Sequence, residues 1–286
     1  MSVNPVVSEL VASAAARTNA LAAPPSRLKE ALSDLAGGVS RNWIWTRLAY
    51  QDIKERYRGS VLGPFWVTLT NLVMIASMGI IYSELFHAEI STYVPYIMAG
   101  ILTWQFISGM INEGCATFTN AHDVIQQVPM PFSVQAYRVI YRNLIVLAHS
   151  AVIIPIGLLL FRVPVDWHLV ELIPALIFLS VNGLWMAVLL GAISTRFRDI
   201  PPIVNNVVQV LFFLTPIFWP IDAVQSLKAV LVLNPFFAWI DVVRAPLLGV
   251  LPEPTSWPIL IGSTLGGSLI SFLFFVRFRE RIAYWI

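Results

Sequence analysis

Residues 172–195 read LIPALIFLSVNGLWMAVLLGAIST, a run without a single Asp, Glu, Lys or Arg. Its length fits the roughly 20 residues that an α-helix needs to cross a hydrocarbon layer about 30 Å thick. Similar uncharged runs lie on either side of it along the chain. In lipid, backbone groups find partners only inside helices or closed barrels, and barrel strands would be about half as long and alternate in polarity. The pattern therefore predicts an all-α integral membrane protein with six transmembrane helices. Their expected bounds are Leu62–Ser83, Val94–Asn112, Leu144–Phe161, Leu172–Thr195, Ile203–Trp219 and Trp257–Val276. Composition agrees: 57% of residues are hydrophobic and 12% charged, against roughly 25% charged in an ordinary globular chain.

The basic residues set the direction. Fifteen of the eighteen fall before the first run, between the second and third, between the fourth and fifth, or after the last; only Arg162, Lys228 and Arg244 fall on the other side. Positive residues stay inside, so both termini are expected in the cytoplasm. A net charge of +2 is too small to suggest a nucleic-acid partner. The single cysteine, Cys115, excludes an internal disulfide and a CxxC metal site. His87, His122, His149 and His168 are scattered without ligand spacing, so no metal is expected. His149 alone lies within a span, where the expected role is a hydrogen bond to a neighbouring helix. Residues 1–40, rich in Ala and Ser and broken by Pro24-Pro25, read as a flexible cytoplasmic extension; residues 41–286 form the transmembrane domain.

Four irregular features lie around the spans. Residues 43–58 read as an amphipathic helix: Trp45, Ala49, Ile53 and Tyr57 form one stripe, while Arg47, Lys54 and Arg58 cluster on another face. Such a helix rests in the headgroup layer, either as an anchor on anionic lipid or as a basic face that meets a phosphate-bearing substrate. After the second span, Asn120 can cap a short helix, Ala121–Gln127, which Pro129 and Pro131 then stop. That helix, with Val124 and Ile125 on it, is too small to fold alone and rests either on lipid or on a cytoplasmic partner. The tight turn Arg196-Phe197-Arg198-Asp199-Ile200 carries charges that either pair with each other or touch a partner. Between the fifth and sixth spans, five prolines break an apolar segment into two helical pieces, Ile221–Leu233 and Phe236–Leu248, too short to cross and expected to dip into the outer leaflet and return. Turning backbone at that depth is tolerated only in protein or beside a cavity, which suggests a channel mouth or gate. Phe212, Phe213, Phe218, Trp219, Phe236, Phe237 and Trp239 gather there, either as belt and packing residues or as the lining of a saccharide path.

The run Arg56-Tyr57-Arg58-Gly59-Ser60-Val61-Leu62-Gly63-Pro64-Phe65-Trp66 resembles the lead-in to the first span of type-2 ABC exporter permeases, above all those that export O-antigen, capsular polysaccharide and teichoic acid (the Wzm, KpsM and TagG group). The Arg196–Ile200 turn, the Pro216-Ile217-Phe218-Trp219-Pro220 run and the Leu233-Asn234-Pro235 step add to the likeness, in the expected order from about residue 41 to the C-terminus. The resemblance implies a multi-pass permease of the bacterial inner membrane: a homodimer with its pore at the interface and two copies of an ABC nucleotide-binding subunit below. It implies that Ala121, His122, Asp123, Val124, Ile125, Gln126 and Gln127 form the coupling helix. It also implies that residues 43–58 form the interface helix, with Arg56 and Arg58, beside Arg47 and Lys54, near the pyrophosphate of an undecaprenyl-pyrophosphate-linked glycan. The two re-entrant pieces would be outer gate helices. ATP and Mg would belong to the partner, with no cofactor in this chain. The extension at 1–40 is longer than the resemblance leads one to expect.

Rival functions fit less well. A proton- or ion-coupled carrier would place carboxylates within its spans, and these spans have none. The chain lacks a G-x-x-x-x-G-K-[ST] phosphate loop, so it is not itself the ATPase. A membrane enzyme would need converging acid and base residues; Glu84, His87 and Glu89 lie together but read as helix-end caps. A non-glycan cargo (drug, haem or lipid) remains the alternative within the same exporter class.

Overall fold

Residues 26–286 are the part of the chain that this computed structural model describes, and no strand occurs among them. In chain order the helices are α1 (Arg27–Ser40), α2 (Asn42–Arg56), α3 (Phe65–Phe86), α4 (Ile90–Cys115), α5 (His122–Gln127), α6 (Ser133–Ser150), α7 (Ile153–Leu160), α8 (Leu172–Arg196), α9 (Ile200–Leu214), α10 (Lys228–Leu231), α11 (Pro235–Leu247) and α12 (Ser256–Trp285). Five stretches are long and apolar enough to cross a membrane: α3, α4, α6 continued by α7, α8 with the turn before it, and α12. The chain is thus a multi-pass membrane protein.

Two expected spans differ in detail. The third begins at Ser133 rather than Leu144 and bends at Ala151-Val152, between α6 and α7. Pro155 supplies no N–H to the Ala151 carbonyl four residues earlier, which accounts for the break. The fifth, expected over Ile203–Trp219, is helical only to Leu214. Its 15 residues extend about 22 Å, short of the ~30 Å layer. Pro216 cannot donate to a carbonyl one turn back, and residues 215–219 run on as bends. Of the two short outer pieces, the second is present as α11, whereas the first divides into a 3-10 stretch, Ile221–Leu227, and the single turn α10.

The bundle is built around α4, which packs against α3, α6, α8, α9 and α11. Of its most apolar window 78% is buried, against 17% for α3, so α4 is the core and α3 an outer wall. Amide and hydroxyl groups join the helices: Asn71 on α3 donates to Gln105 on α4 (2.5 Å) and to Ser150 on α6 (3.1 Å), and Asn182 on α8 donates to Thr264 on α12 (2.5 Å). Such side chains seek partners between helices because lipid offers none. Outer faces, with Leu72, Ile80, Leu265 and Leu273 exposed, stay apolar. His149 differs from its expected role: its Nδ1 lies 2.7 Å from the Ile145 carbonyl of its own helix.

The expected loose extension, 1–40, is also revised in its second part. Residues 1–25 lie outside the described residues, but 27–40 form α1, with Ser26 as its N-cap, packed on α6 and α12. One end of the bundle thus gathers α1, α2, α5, the α8–α9 turn and the end of α12; the proline-rich segment lies at the other.

Candidate functional site

Helix α2 presents the expected stripe to the bundle: Ala49 and Ile53 are buried, with Trp45 and Tyr57 half-buried beside them. Trp45 packs on Tyr137 and Tyr141 of α6. On the same helix Asp52 turns inward and takes two arginines from α6. Arg138 grips it with both Nε (2.8 Å) and Nη2, and Arg142 donates from Nη1 (2.6 Å). Arg138 and Arg142 are four residues apart and therefore share a helix face. Arg142 also reaches Glu113 at the end of α4, through Nε at 2.9 Å and Nη2 at 2.8 Å. Asn143 donates to the same carboxylate (2.8 Å), and Arg56 closes the network on its other oxygen (2.7 Å). Burial pushes the Asp52 carboxyl up, but the bonds and charges of Arg138 and Arg142 outweigh this and hold it below the usual carboxylate range. Burial likewise works against the Arg56 guanidinium, and Glu113 more than restores its charge.

The four basic residues expected to meet a pyrophosphate are thereby separated. Arg56 is engaged with Glu113, its side chain still 44% exposed. Arg47 lies over the Trp43 ring, and Lys54 and Arg58 are exposed; none of the three has an ion pair among the described residues. The network holds three arginines against two carboxylates, so one positive charge remains uncompensated beside the free cations. The arrangement can attract an anion at headgroup depth.

Residues Ala121–Gln127 fold as the sequence suggests, with Ala121 closing a 3-10 turn and α5 running from His122 to Gln127. Asn120 is not the cap: Ala121 holds that position, without a side-chain bond. Asp123, Gln126 and Gln127 are exposed and His122 and Val124 half-buried, whereas Ile125 packs onto the cluster of Phe118, Ala136 and Phe275. Ile125 therefore ties α5 to its own chain, and the remaining side chains are open to another. Neither Arg196, Arg198 nor Asp199 forms an ion pair among the described residues, so the charges of the α8–α9 turn do not pair with each other.

At the opposite end, the bends at 215–219 are held by side chains rather than by helix bonds. The Tyr93 hydroxyl donates to the Phe218 carbonyl, Tyr96 to those of Trp219 (3.0 Å) and Pro216 (3.3 Å), and Arg244 Nη2 to that of Ile217 (3.0 Å). Arg244, on α11, is 4% exposed, and its guanidinium sits 3.9 Å from the Tyr96 ring centroid. The expected aromatic group divides here. Phe212 and Phe218 stack, Phe213 meets both edge-on, Phe212 and Phe236 meet Trp104, and the Trp219 indole donates to the Phe213 carbonyl (3.2 Å). Phe237 and Trp239 are buried, Trp239 with its indole on Ser263 (2.9 Å), so in this conformation they pack α11 rather than line a path. Asp52, Glu113, Arg138, Arg142 and Arg244 are the functional candidates missed from sequence. An arginine in a 13-residue, mostly apolar helix, with Asp241 as its only other charge, was the available signal for the last.

The comparisons with known proteins agree with this architecture. The O-antigen export system permease protein RfbA of Myxococcus xanthus is 28% identical over 193 residues, covering 66% of this chain and 74% of that protein. A protein of the same name from Klebsiella pneumoniae is 23% identical over 228 residues, 79% of this chain and 83% of its own. The ABC-2 type transporter family matches residues 45–248, from the first turn of α2 to the residue after α11. With most of its length in that match and its long apolar helices around α4, the chain belongs to the ABC-2 type transporter family.

Proposed function

We propose that this chain is the membrane-spanning permease subunit of an ATP-driven exporter that moves a lipid-linked polysaccharide, of O-antigen, capsule or teichoic-acid type, across the inner membrane from the cytoplasmic side. It works as a homodimer with two ATP-binding subunits, which carry the ATP and Mg. The observation that carries the reading is where the charges lie. Ionisable groups gather at the helix ends, in the network of α2, α4 and α6, and the apolar interiors of the long helices hold no carboxylate through which an ion gradient could act. The similarity to O-antigen export permeases supports the cargo class.

A further contact supports a topology of six crossings. Arg279, near the end of α12, bonds Asp34 on α1 (2.9 Å), so both ends of the described chain share one side. The number of crossings is then even, and α9 with residues 215–219 supplies the sixth. The tyrosine and arginine donors on 215–219 satisfy the carbonyls that such a passage frees. Helix α11 is then a re-entrant outer element, and the arginine-rich end faces the cytoplasm.

Deletion in the native cell tests the cargo: lipid-linked glycan should accumulate on the cytoplasmic face while surface glycan falls. Normal surface glycan in the deletion strain would remove the polysaccharide reading.

A further inference from the structure

We infer that Asp34, on α1, is a positioning residue that sets the pose of helix α5 toward the ATP-binding subunit; the inference rests on the proposed exporter function and on α5 being the coupling helix that the resemblance implies. The Asp34 side chain is fully buried. One oxygen accepts the Ser133 N–H at 2.9 Å and the other the Phe132 N–H at 3.1 Å. Those are unpaired donors at the start of α6, so Asp34 caps that helix from another part of the chain. The Ser133 hydroxyl returns a bond to the Asp34 carbonyl (2.7 Å), and Arg279 of α12 donates to the carboxylate from Nε (2.9 Å). Contact is close enough to require Gly38, whose added Cβ would stand 2.8 Å from the Tyr137 ring. The Trp45 indole donates to the Gly38 carbonyl (3.1 Å), tying the same point to α2.

Only residues 128–132 separate the end of α5 from this anchor. The short helix has no side-chain cap of its own; the buried Ala121 at its start and Ile125 hold it on the bundle. On its C-terminal side the nearest fixed point is the α6 N-terminus, which Asp34 grips. A force delivered to α5 is passed to α6 and α12 through this carboxylate as well as through Ile125; without the carboxylate, the coupling of α5 to the spans is weakened.

The test uses the full permease with its ATP-binding subunit in vesicles, reading glycolipid export per ATP hydrolysed, and hydrogen exchange over residues 119–134. Asp34→Ala should lower the export-to-hydrolysis ratio about tenfold, the worth of a strong cap. It should speed exchange in 119–134 while the spans keep their protection. Asp34→Asn, of the same shape but able to accept only one of the two N–H groups, should fall between, and it decides the matter if the alanine chain fails to reach the membrane. The exchanged pair Asp34→Arg with Arg279→Asp restores opposite charges but no cap, and should stay uncoupled; recovery of the ratio would overturn the capping role, as would an unchanged ratio in Asp34→Ala and Asp34→Asn. Val124→Asp is the control. If it uncouples and the Asp34 variants do not, this inference fails alone; if Val124→Asp is also without effect, the docking role of α5 fails with it.

Discussion

Tyr93, Tyr96 and Arg244 act on the one stretch of apolar chain where helix bonds give out. A buried arginine without a carboxylate is costly; here the Ile217 carbonyl and the face of Tyr96 offset part of that cost, while the Arg244 Nε stays buried without a hydrogen-bond partner. Tyr93→Phe and Tyr96→Phe should each destabilise the protein by about 1–3 kcal/mol, because a carbonyl of 215–219 is left buried without its donor. Gly100→Ala should cost at least as much, since its Cβ would stand 2.5 Å from Arg244 Nη2 and 2.6 Å from the Ile217 oxygen. Thermal unfolding in lipid nanodiscs reads all three; an unshifted melting temperature would mean that 215–219 is held by packing alone. At the other end, the Asp52 carboxyl lies below its ordinary value of 3.8 when folded. Its contribution is therefore complete above that ordinary value and lost as pH falls through the lower folded one. Acid should loosen α2 only below about pH 4, and Asp52→Asn should remove that acid step while lowering stability at pH 7. A midpoint insensitive to this substitution would assign the acid step elsewhere. Sequence identified the basic face of α2 but not that Arg56 would be engaged with Glu113, 57 residues away, because the pairing depends on how α2, α4 and α6 pack.

Whole elements were legible where apolar length alone decides them. The long helices fall where uncharged runs lie, and the stripe Trp45, Ala49, Ile53 and Tyr57 faces the bundle as 3.6-residue periodicity requires. Two elements were not legible for opposite reasons. Helix α1 has no long apolar block and carries Gly37-Gly38 in its last turn, a local weakness that docking on α6 and α12 overrides. Helix α9 lies in a long apolar run, yet Pro216 ends its hydrogen-bond ladder early. Helix α5 was found from its prolines, although its assumed cap was wrong and its two apolar residues divide their work. Val124 has no place in the cluster beneath, whereas Ile125 packs into it. Val124→Asp should therefore leave the melting temperature nearly unchanged while reducing export per ATP about tenfold or more in the reconstituted complex, the order of one lost hot-spot contact. Ile125→Asp should lower both stability and export. Equal loss of stability in the two variants would show that Val124 serves the fold rather than a partner.

At the scale of the molecule, the proposed sixth crossing is the step on which sidedness depends. In the proposed topology the chain leaves the arginine-rich end after Arg196 and begins α12 at Ser256 on the far side, since α12 returns to place Arg279 against Asp34. Between those points α9 is about 22 Å long, and in the proposed topology the bends at 215–219 cover the remaining depth while their carbonyls bond Tyr93, Tyr96 and Arg244. Replacing Cys115 with serine leaves a background free of cysteine, on which single cysteines report sidedness. Asp123→Cys and Arg198→Cys should react with a membrane-impermeant maleimide only in inverted vesicles, and His87→Cys, Asp222→Cys and Leu251→Cys only in right-side-out ones. The Arg198–Asp222 comparison is decisive, because only the passage through α9 and 215–219 lies between them. Labelling of both from the same side would reduce α9 to an interfacial helix, make the number of crossings odd, and set the Arg279–Asp34 contact against the membrane itself.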